Sequence, residues 1–246
     1  MTPTVRLDKY LVEQGMVSSR EKAQQLIQQH AVSVNGQIKN KPATLVLEND
    51  VVIILENTLK FVSRGGYKLE RALLKLSIDL TNKTVLDVGA STGGFTDCCL
   101  QYGASHVTAI DVGNGQLDKK LTEHPKVNQF EGMDIRHTEV DRINGPFDML
   151  VADLSFISLE KVLEHLTTFI KPNGELLVLV KPQFEQDSRK SFKGGIIKDE
   201  KIRQKAFEKI KRFGESVGLS YQGQCETLIA ENEQKNIEAI LHFKKK

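Results

Sequence analysis

Apolar side chains recur at Leu7, Tyr10 and Leu11 and give way to Gly15, the spacing of a short amphipathic helix over residues 5–14 with its C-terminal stop. A second stripe, Ala23, Leu26 and Ile27, predicts another helix, capped by Ser18 or Ser19 and ending near His30. The period then shortens to two. Val32 and Val34 lead into Asn35-Gly36, a tight hairpin turn, and after Lys41-Pro42 the run 51–55 supplies a further strand. Residues 1–59 therefore read as a small α+β module, and the flexible stretch Val62-Ser63-Arg64-Gly65-Gly66 reads as a linker over 60–66. Helical spacing resumes over 67–76 through Leu69, Leu73 and Leu74. Beyond it, strand and helix patterns alternate at 84–88, 94–101, 106–111, 127–130, 147–152, 159–170 and 175–180, with late strands near 220–227 and 237–243. That order predicts an α/β, doubly wound, Rossmann-like second domain over 67–246.

The length of 246 residues suits such a pair of domains. Apolar residues at 39%, charged residues at 27% and only six prolines are the composition of an ordinary soluble globular chain. No apolar run approaches the roughly 20 residues of a membrane span, and MTPTVRLDKY lacks the pattern of a secretory signal. The expected location is the cytoplasm, without a membrane partner. Cys98, Cys99 and Cys225 make neither a disulfide framework nor a metal-ligand set, so they are expected to be packing residues and no metal is expected. The net charge of +2 hides an uneven division: residues 76–180 carry 8 Lys and Arg against 15 Asp and Glu, whereas 181–212 carry 11 against 5. A second basic cluster, Lys60, Arg64, Lys68, Arg71 and Lys75, flanks the front of the second domain. Each cluster alone reads as a solvated face, but the two together favour nucleic acid.

The densest chemical signal is Asp87-Val88-Gly89-Ala90-Ser91-Thr92-Gly93-Gly94-Phe95, an apolar strand ending in a glycine-rich turn that opens a helix. A dinucleotide turn requires G-x-G-x-x-G, and Ser91 stands where its middle glycine belongs, so a nicotinamide dinucleotide fits poorly. An acid at the strand end suits a ligand with a positive ammonium group, which points Asp87 toward S-adenosylmethionine. Asp111, followed by Val112, ends the next strand where a carboxylate can accept from both ribose hydroxyls of an adenosine. Asp134, followed by Ile135, is placed for the adenine edge, and Asp153 ends the fourth strand near the methyl-donor centre. Any one of these acids alone reads as a helix cap; four in this order make a binding rim.

Lys68, Asp153, Lys181 and Glu238 form a K-D-K-E set that resembles the FtsJ-like ribose 2′-O-methyltransferases. SRGGYKLERAL, DVGASTGGFTDCCL, DLSFISL, KPQFE and GGIIKD follow in order, and RLDKYLVEQGMVSSREKAQQLIQQHAVSVNGQIKNKP resembles an S4 RNA-binding domain. Together these motifs resemble the TlyA family over nearly the whole chain. The resemblance implies S-adenosylmethionine as cofactor and ribosomal RNA or ribosomal subunits as partner, with no obligate protein partner. The implied target is a cytidine ribose of the small subunit and, in some members, the large one. Arg6, Lys9, Ser19, Arg20, Lys22 and Lys41 of the S4-like module, with Arg64 and Lys68, are the expected RNA contacts. Lys181 is expected to meet the 2′-hydroxyl, as a neutral base or as an ammonium stabilising the alkoxide. One departure falls at LIAENEQKNIE, where the family pattern has Ser-Pro-Ile and Lys-Gly-Asn; Glu238 survives with Asn236 before it, and a surface salt-bridging glutamate is its alternative. Other readings are an RNA-binding assembly factor with a weak or inactive methyltransferase fold, a membrane-acting hemolysin, and methylation of a protein or small molecule.

Overall fold

The computed structural model describes residues 4–28, 31–47, 49–55, 60–186, 197, 199–227 and 236–246. The chain divides into two units, Met1–Lys60 and Phe61–Lys246.

The first unit runs β1 (Thr4–Arg6), α1 (Leu7–Glu13), α2 (Arg20–Gln28), β2 (Val32–Val34), β3 (Gln37–Ile38), β4 (Leu45–Leu47) and β5 (Val52–Ile54). β1 pairs with β4, while β3, β2 and β5 form a second antiparallel sheet in that order. The expected stripes meet in one core of Leu7, Leu11, Ala23, Ile27, Val32, Val34 and Val46. Asn35 and Gly36 both have positive φ, +51° and +77°, as a two-residue hairpin turn of the tight primed type requires. Asn35 also donates to Asp50 at 2.8 Å and accepts from the Val51 amide at 2.9 Å, tying the turn to the next strand. β3 is the return strand of the expected hairpin, whereas β1 and β4 were not among the expected strands.

Asp8 lies fully buried beneath these helices. Its carboxylate accepts from Nε and Nη2 of Arg6, Nε of Arg20 and Nε2 of Gln24, each at 3.0 Å. The Arg6 bonds most of all, then those from Gln24 and Arg20, hold its carboxyl far below the usual range despite burial. Asp8 thereby fastens α1 to α2 and fixes the stems of two arginines whose side chains remain about half exposed. Asp8→Ala is expected to cost about 1–3 kcal/mol, the lower part of the range applying because both guanidiniums can return to water. The check is amide exchange in α1 and α2, which should accelerate; unchanged protection there would contradict the role.

The second unit contains α3 (Gly65–Lys75), β6 (Thr84–Val88), α4 (Gly94–Gln101), β7 (His106–Ile110), α5 (Lys119–Thr122), β8 (Val127–Phe130), β9 (Phe147–Ala152), α6 (Leu163–Thr168), β10 (Ile170–Val180), α7 (Glu200–Ser216), β11 (Leu219–Glu226) and β12 (Ala239–Lys245). Seven strands form one sheet in the order β11-β12-β10-β9-β6-β7-β8, parallel from β10 to β8 and antiparallel at β12 and β11. The central strands read as unbroken apolar runs because both faces are covered. In β10, Leu176, Val178 and Val180 enter one core with Phe207 and Ile210 of α7, while Leu177 and Leu179 enter the other with Leu69 of α3 and Cys98 of α4. All three cysteines are buried thiols, as packing residues.

Two sequence readings change. The helix expected over 159–170 is a 3₁₀ turn, Leu159–Lys161, followed by the short α6, and Ile170 already belongs to β10. The linker expected over 60–66 is instead part of the second unit from Phe61 onward: Phe61 is buried, the Val62 amide donates to Asp97 at 2.9 Å, and Gly65 and Gly66 open α3. These glycines serve close packing. A Cβ on Gly66 would lie 2.3 Å from the Phe61 ring. α7 was not anticipated at all, since its stripe of Ala206, Phe207, Ile210 and Gly214 is sparse among charged residues.

Candidate active site

The winding of the parallel sheet reverses between β6 and β9, which opens a crevice at the carboxyl ends of the strands, the usual ligand position in this architecture. Gly89, Asp111, Asp153 and Lys181 follow β6, β7, β9 and β10 respectively on this rim. β12 is antiparallel, so Glu238, immediately before it, reaches the same rim; Val180 pairs with Ala239, and continuing that register sets Lys181 opposite Glu238.

The glycine-rich turn is shaped by backbone contacts. Gly89 has φ +81°, and a Cβ there would sit 2.7 Å from the Asp153 carbonyl oxygen, so only glycine allows β6 and β9 to end this close together. Gly93, at φ +92°, caps α4, and a Cβ on it would meet Leu121 at 2.2 Å. Ala90 is nearly buried, whereas Ser91 is exposed at φ +49°. Thr92 accepts the Asp118 amide on its carbonyl at 3.2 Å, linking the turn to the approach to α5. Asp111 accepts from the Ser91 amide at 2.9 Å and the Gly113 amide at 2.7 Å, and so ties the turn to the loop after β7. Val112 projects beside it, 68% exposed. Glu131, which the sequence reading passed over, accepts from the amides of Gly115, Gln116 and Leu117 and holds the far end of that loop.

Asp87 is completely buried beneath the turn. Thr96 Oγ1 donates to its Oδ2 at 2.6 Å, while Oδ1 has no hydrogen-bond partner among the described residues. Burial pushes this carboxyl up to about 7, against the Thr96 bond and aided by the nearby Asp153. A buried acid with one unanswered oxygen, next to a second acid and a turn of small residues and glycines, fits a compact cationic ligand such as the sulfonium and ammonium groups of S-adenosylmethionine.

Other members of the expected set lie differently. Phe95 is buried in the core on the α3 side of the sheet, so its ring packs the helix and does not face the open side of the turn. Gly94 serves the same packing: a Cβ there would lie 2.2 Å from Ser63 Oγ and 2.9 Å from the Gly66 amide. Ile135 is likewise a core residue. Asp134 is held by Arg136, which donates to both oxygens, and this pairing lowers its carboxyl to about 2. An adenine edge would have to share that carboxylate.

The four residues of the K-D-K-E set form two ion pairs, Lys181 Nζ with Asp153 Oδ1 at 2.6 Å and Lys68 Nζ with Glu238 Oε2 at 2.6 Å. Lys181 also donates to Ser155 Oγ at 2.7 Å. α3 carries Lys68 to the rim, and Arg71 on the same helix donates to the Glu226 carbonyl at 3.2 Å. Asn236 accepts the Ile197 amide at 2.7 Å; the altered loop 228–235 and most of GGIIKD lie outside the described residues. Beside Lys181 stands a residue that the sequence reading missed. Phe156 is 92% exposed at φ +65° and meets Phe184 at a centroid distance of 5.3 Å. Its signal was present in DLSFISL, an aromatic between serines just after Asp153, but nothing in the apolar period marks a side chain as facing water.

In the first unit, Arg6 and Arg20 converge on Asp8, Lys9 pairs with Glu13 at 3.2 Å, and the Lys22 amide donates to Ser19 Oγ at 3.2 Å, as a helix cap. Lys41 is exposed on this unit; Arg64 and Lys68 belong to the second.

A seven-stranded sheet with an antiparallel β12, a glycine turn fitted to a cationic nucleoside and an acid after each neighbouring strand define an S-adenosylmethionine-dependent methyltransferase. Residues 61–244 match the FtsJ-like methyltransferase family and residues 5–52 match the S4 domain, and the chain belongs to the FtsJ-like methyltransferase family in its S4-bearing, TlyA-type form. It is 37% identical to the 16S/23S rRNA (cytidine-2′-O)-methyltransferase TlyA of Mycobacterium tuberculosis over 219 residues, covering 89% of this chain and 82% of that protein. It is 39% identical to Hemolysin A of Brachyspira hyodysenteriae over 202 residues, 82% of this chain and 84% of the relative. A solved structure from Streptococcus thermophilus, described as a hemolysin, superposes with a TM-score of 0.76 at 35% identity, covering 100% of this chain and 90% of the other. Among the described residues no helix is long and apolar enough to cross a membrane.

The raised Asp87 pKa gives a signed prediction. Above its ordinary value of 3.8 the unfolded carboxyl is ionised, while the folded one keeps its proton up to about 7. The folded chain holds the extra proton, so this group's contribution to stability is complete below the ordinary value and is lost as pH rises through about 7. Denaturant titrations of wild type and Asp87→Asn between pH 4 and 8 should diverge in that sense; parallel curves would contradict it.

Proposed function

We propose that this protein transfers a methyl group to the 2′-hydroxyl of a cytidine ribose in ribosomal RNA, in the small subunit and with the large subunit as a second substrate. The observation that carries this reading is the Lys181–Asp153 ion pair, 2.6 Å long, on the rim beside the glycine turn. The relative named as a 16S/23S rRNA (cytidine-2′-O)-methyltransferase and the S4 match support the substrate.

The bound cofactor supplies an electrophilic methyl group on a sulfonium. A ribose hydroxyl is a weak nucleophile, so what the protein contributes is placement and charge. Lys181, largely buried, is held by a carboxylate on one side and by Ser155 on the other, an arrangement that suits an ammonium. In that form it donates a hydrogen bond to the 2′-oxygen and stabilises the negative charge that grows there as the methyl group is taken up and the hydroxyl proton passes to solvent water. Asp153 holds Lys181 in place, and Glu238 does the same for Lys68 at the neighbouring strand end. Phe156 offers an exposed face on which a base of the substrate can stack, a contact worth about 1–3 kcal/mol. Asp87, Gly89, Asp111 and Val112 are the residues that would hold the cofactor. Arg6, Lys9, Arg20, Lys22 and Lys41 supply cations to meet phosphates.

The test is Lys181→Ala with labelled S-adenosylmethionine and ribosomal subunits. We expect kcat to fall by about 10²–10³ while cofactor affinity stays within twofold, the signature of an interaction made in the transition state. Near-full turnover in the variant would remove Lys181 from the mechanism.

A further inference from the structure

Among the buried ionisable groups, Glu185 takes no part in the chemistry above. It is 3% exposed, its Oε2 accepts from Ser158 Oγ at 2.5 Å and its Oε1 accepts from the Leu159 amide at 2.9 Å. Ser158 in turn caps the 3₁₀ turn Leu159–Lys161 by accepting from the Glu160 amide at 3.3 Å. Glu185, in the loop after β10, thus grips the far end of the loop after β9. The same two loops are joined at their near ends by Lys181, which reaches Asp153 and Ser155, and midway by the Phe156–Phe184 ring contact. The order is parallel: 181 with 153 and 155, 184 with 156, 185 with 158 and 159.

Between the two polar anchors lies the conformation that local sequence does not favour. A bulky L-residue at φ +65° is an outlier costing about 1–3 kcal/mol, and a phenyl ring exposed to water gains nothing by burial. Such a state persists when its surroundings over-determine it, and the anchors on either side do so. Released at one end, the loop can relax its backbone and lay Phe156 on partly buried apolar neighbours such as Leu154 and Ile157. We infer that Glu185 is a positioning residue that clamps Ser158 and Leu159 so that Phe156 stands out from the surface as a stacking platform for a base of the RNA substrate. The inference rests on the proposed RNA substrate and adds to it the element that holds the platform up.

Two measurements test it, both on the full-length protein. Glu185→Leu fills the same volume without an acceptor, Ser158→Ala removes one donor, and Glu185→Gln retains an acceptor for Leu159 and can meet the Ser158 hydroxyl. Hydrogen exchange at residues 156–160 should accelerate about tenfold or more in Glu185→Leu, less in Ser158→Ala, and stay near wild type in Glu185→Gln, with α7 unchanged as the control for folding. Unchanged exchange in Glu185→Leu overturns the clamp whatever the activity. In methyl-transfer kinetics on ribosomal subunits, Phe156→Ala should raise KM for RNA about tenfold, the loss of one stacked base. Glu185→Leu should do much the same with cofactor affinity unchanged, and the double variant should match Phe156→Ala alone. Additive effects, or loss of cofactor binding in Glu185→Leu, would overturn the positioning role in favour of a general structural one. An unchanged KM in Phe156→Ala would overturn the platform. If the wild-type protein methylates no RNA, the proposed function fails, and the exchange data alone decide the clamp.

Discussion

The close approach of β6 and β9 at their carboxyl ends is the constraint from which the site follows. A Cβ on Gly89 would fall 2.7 Å from the Asp153 carbonyl, and the Asp153 amide donates to the Val88 carbonyl at 3.0 Å. The glycine turn is thereby pressed against the residue that pairs with Lys181. Any side chain at position 89 would push the glycine turn away from the Lys181–Asp153 ion pair. Further along the rim, Asp111 repeats the logic with a side chain in place of a backbone contact, bonding the Ser91 and Gly113 amides so that the turn and the next loop move as one.

Charge around this joint is compensated unevenly. Asp87 is sealed beneath the turn with no cation paired to it among the described residues, whereas Asp153 and Glu238 each form an ion pair with a lysine. A cationic methyl donor would supply what the first acid lacks. In the first unit the same economy holds at Asp8, one buried carboxylate that sets the stems of two arginines while their tips remain half exposed.

The sequence made the central sheet legible because β6, β7 and β9 are largely buried runs bounded by turn residues, and α4 opens at a glycine signature. It misjudged segments whose character is set by what they pack against. Gly65 and Gly66 look like a linker but are flat surfaces for Phe61 and for the start of α4. α7 hides an adequate stripe among lysines and glutamates. The K-D-K-E set could be read from its order along the chain, but its pairing into Lys181–Asp153 and Lys68–Glu238 depends on the antiparallel β12, which no local pattern reveals. Phe95 and Ile135, both expected at the cofactor site, have side chains that pack into the two cores, which adjacency to the motif residues does not reveal. Phe156 and Glu185 were invisible for the opposite reasons: one is an apolar residue in water, the other an acid in the interior.

The chemical position of the transferred methyl group separates ribose methylation from base methylation. Wild-type protein, labelled S-adenosylmethionine and separated ribosomal subunits, followed by alkaline hydrolysis of the RNA, decide it, because a 2′-O-methyl group blocks cleavage of its phosphodiester. Label recovered in an alkali-resistant dinucleotide beginning with cytidine is the predicted result; label released in mononucleotides would mean methylation of a base and would contradict the account.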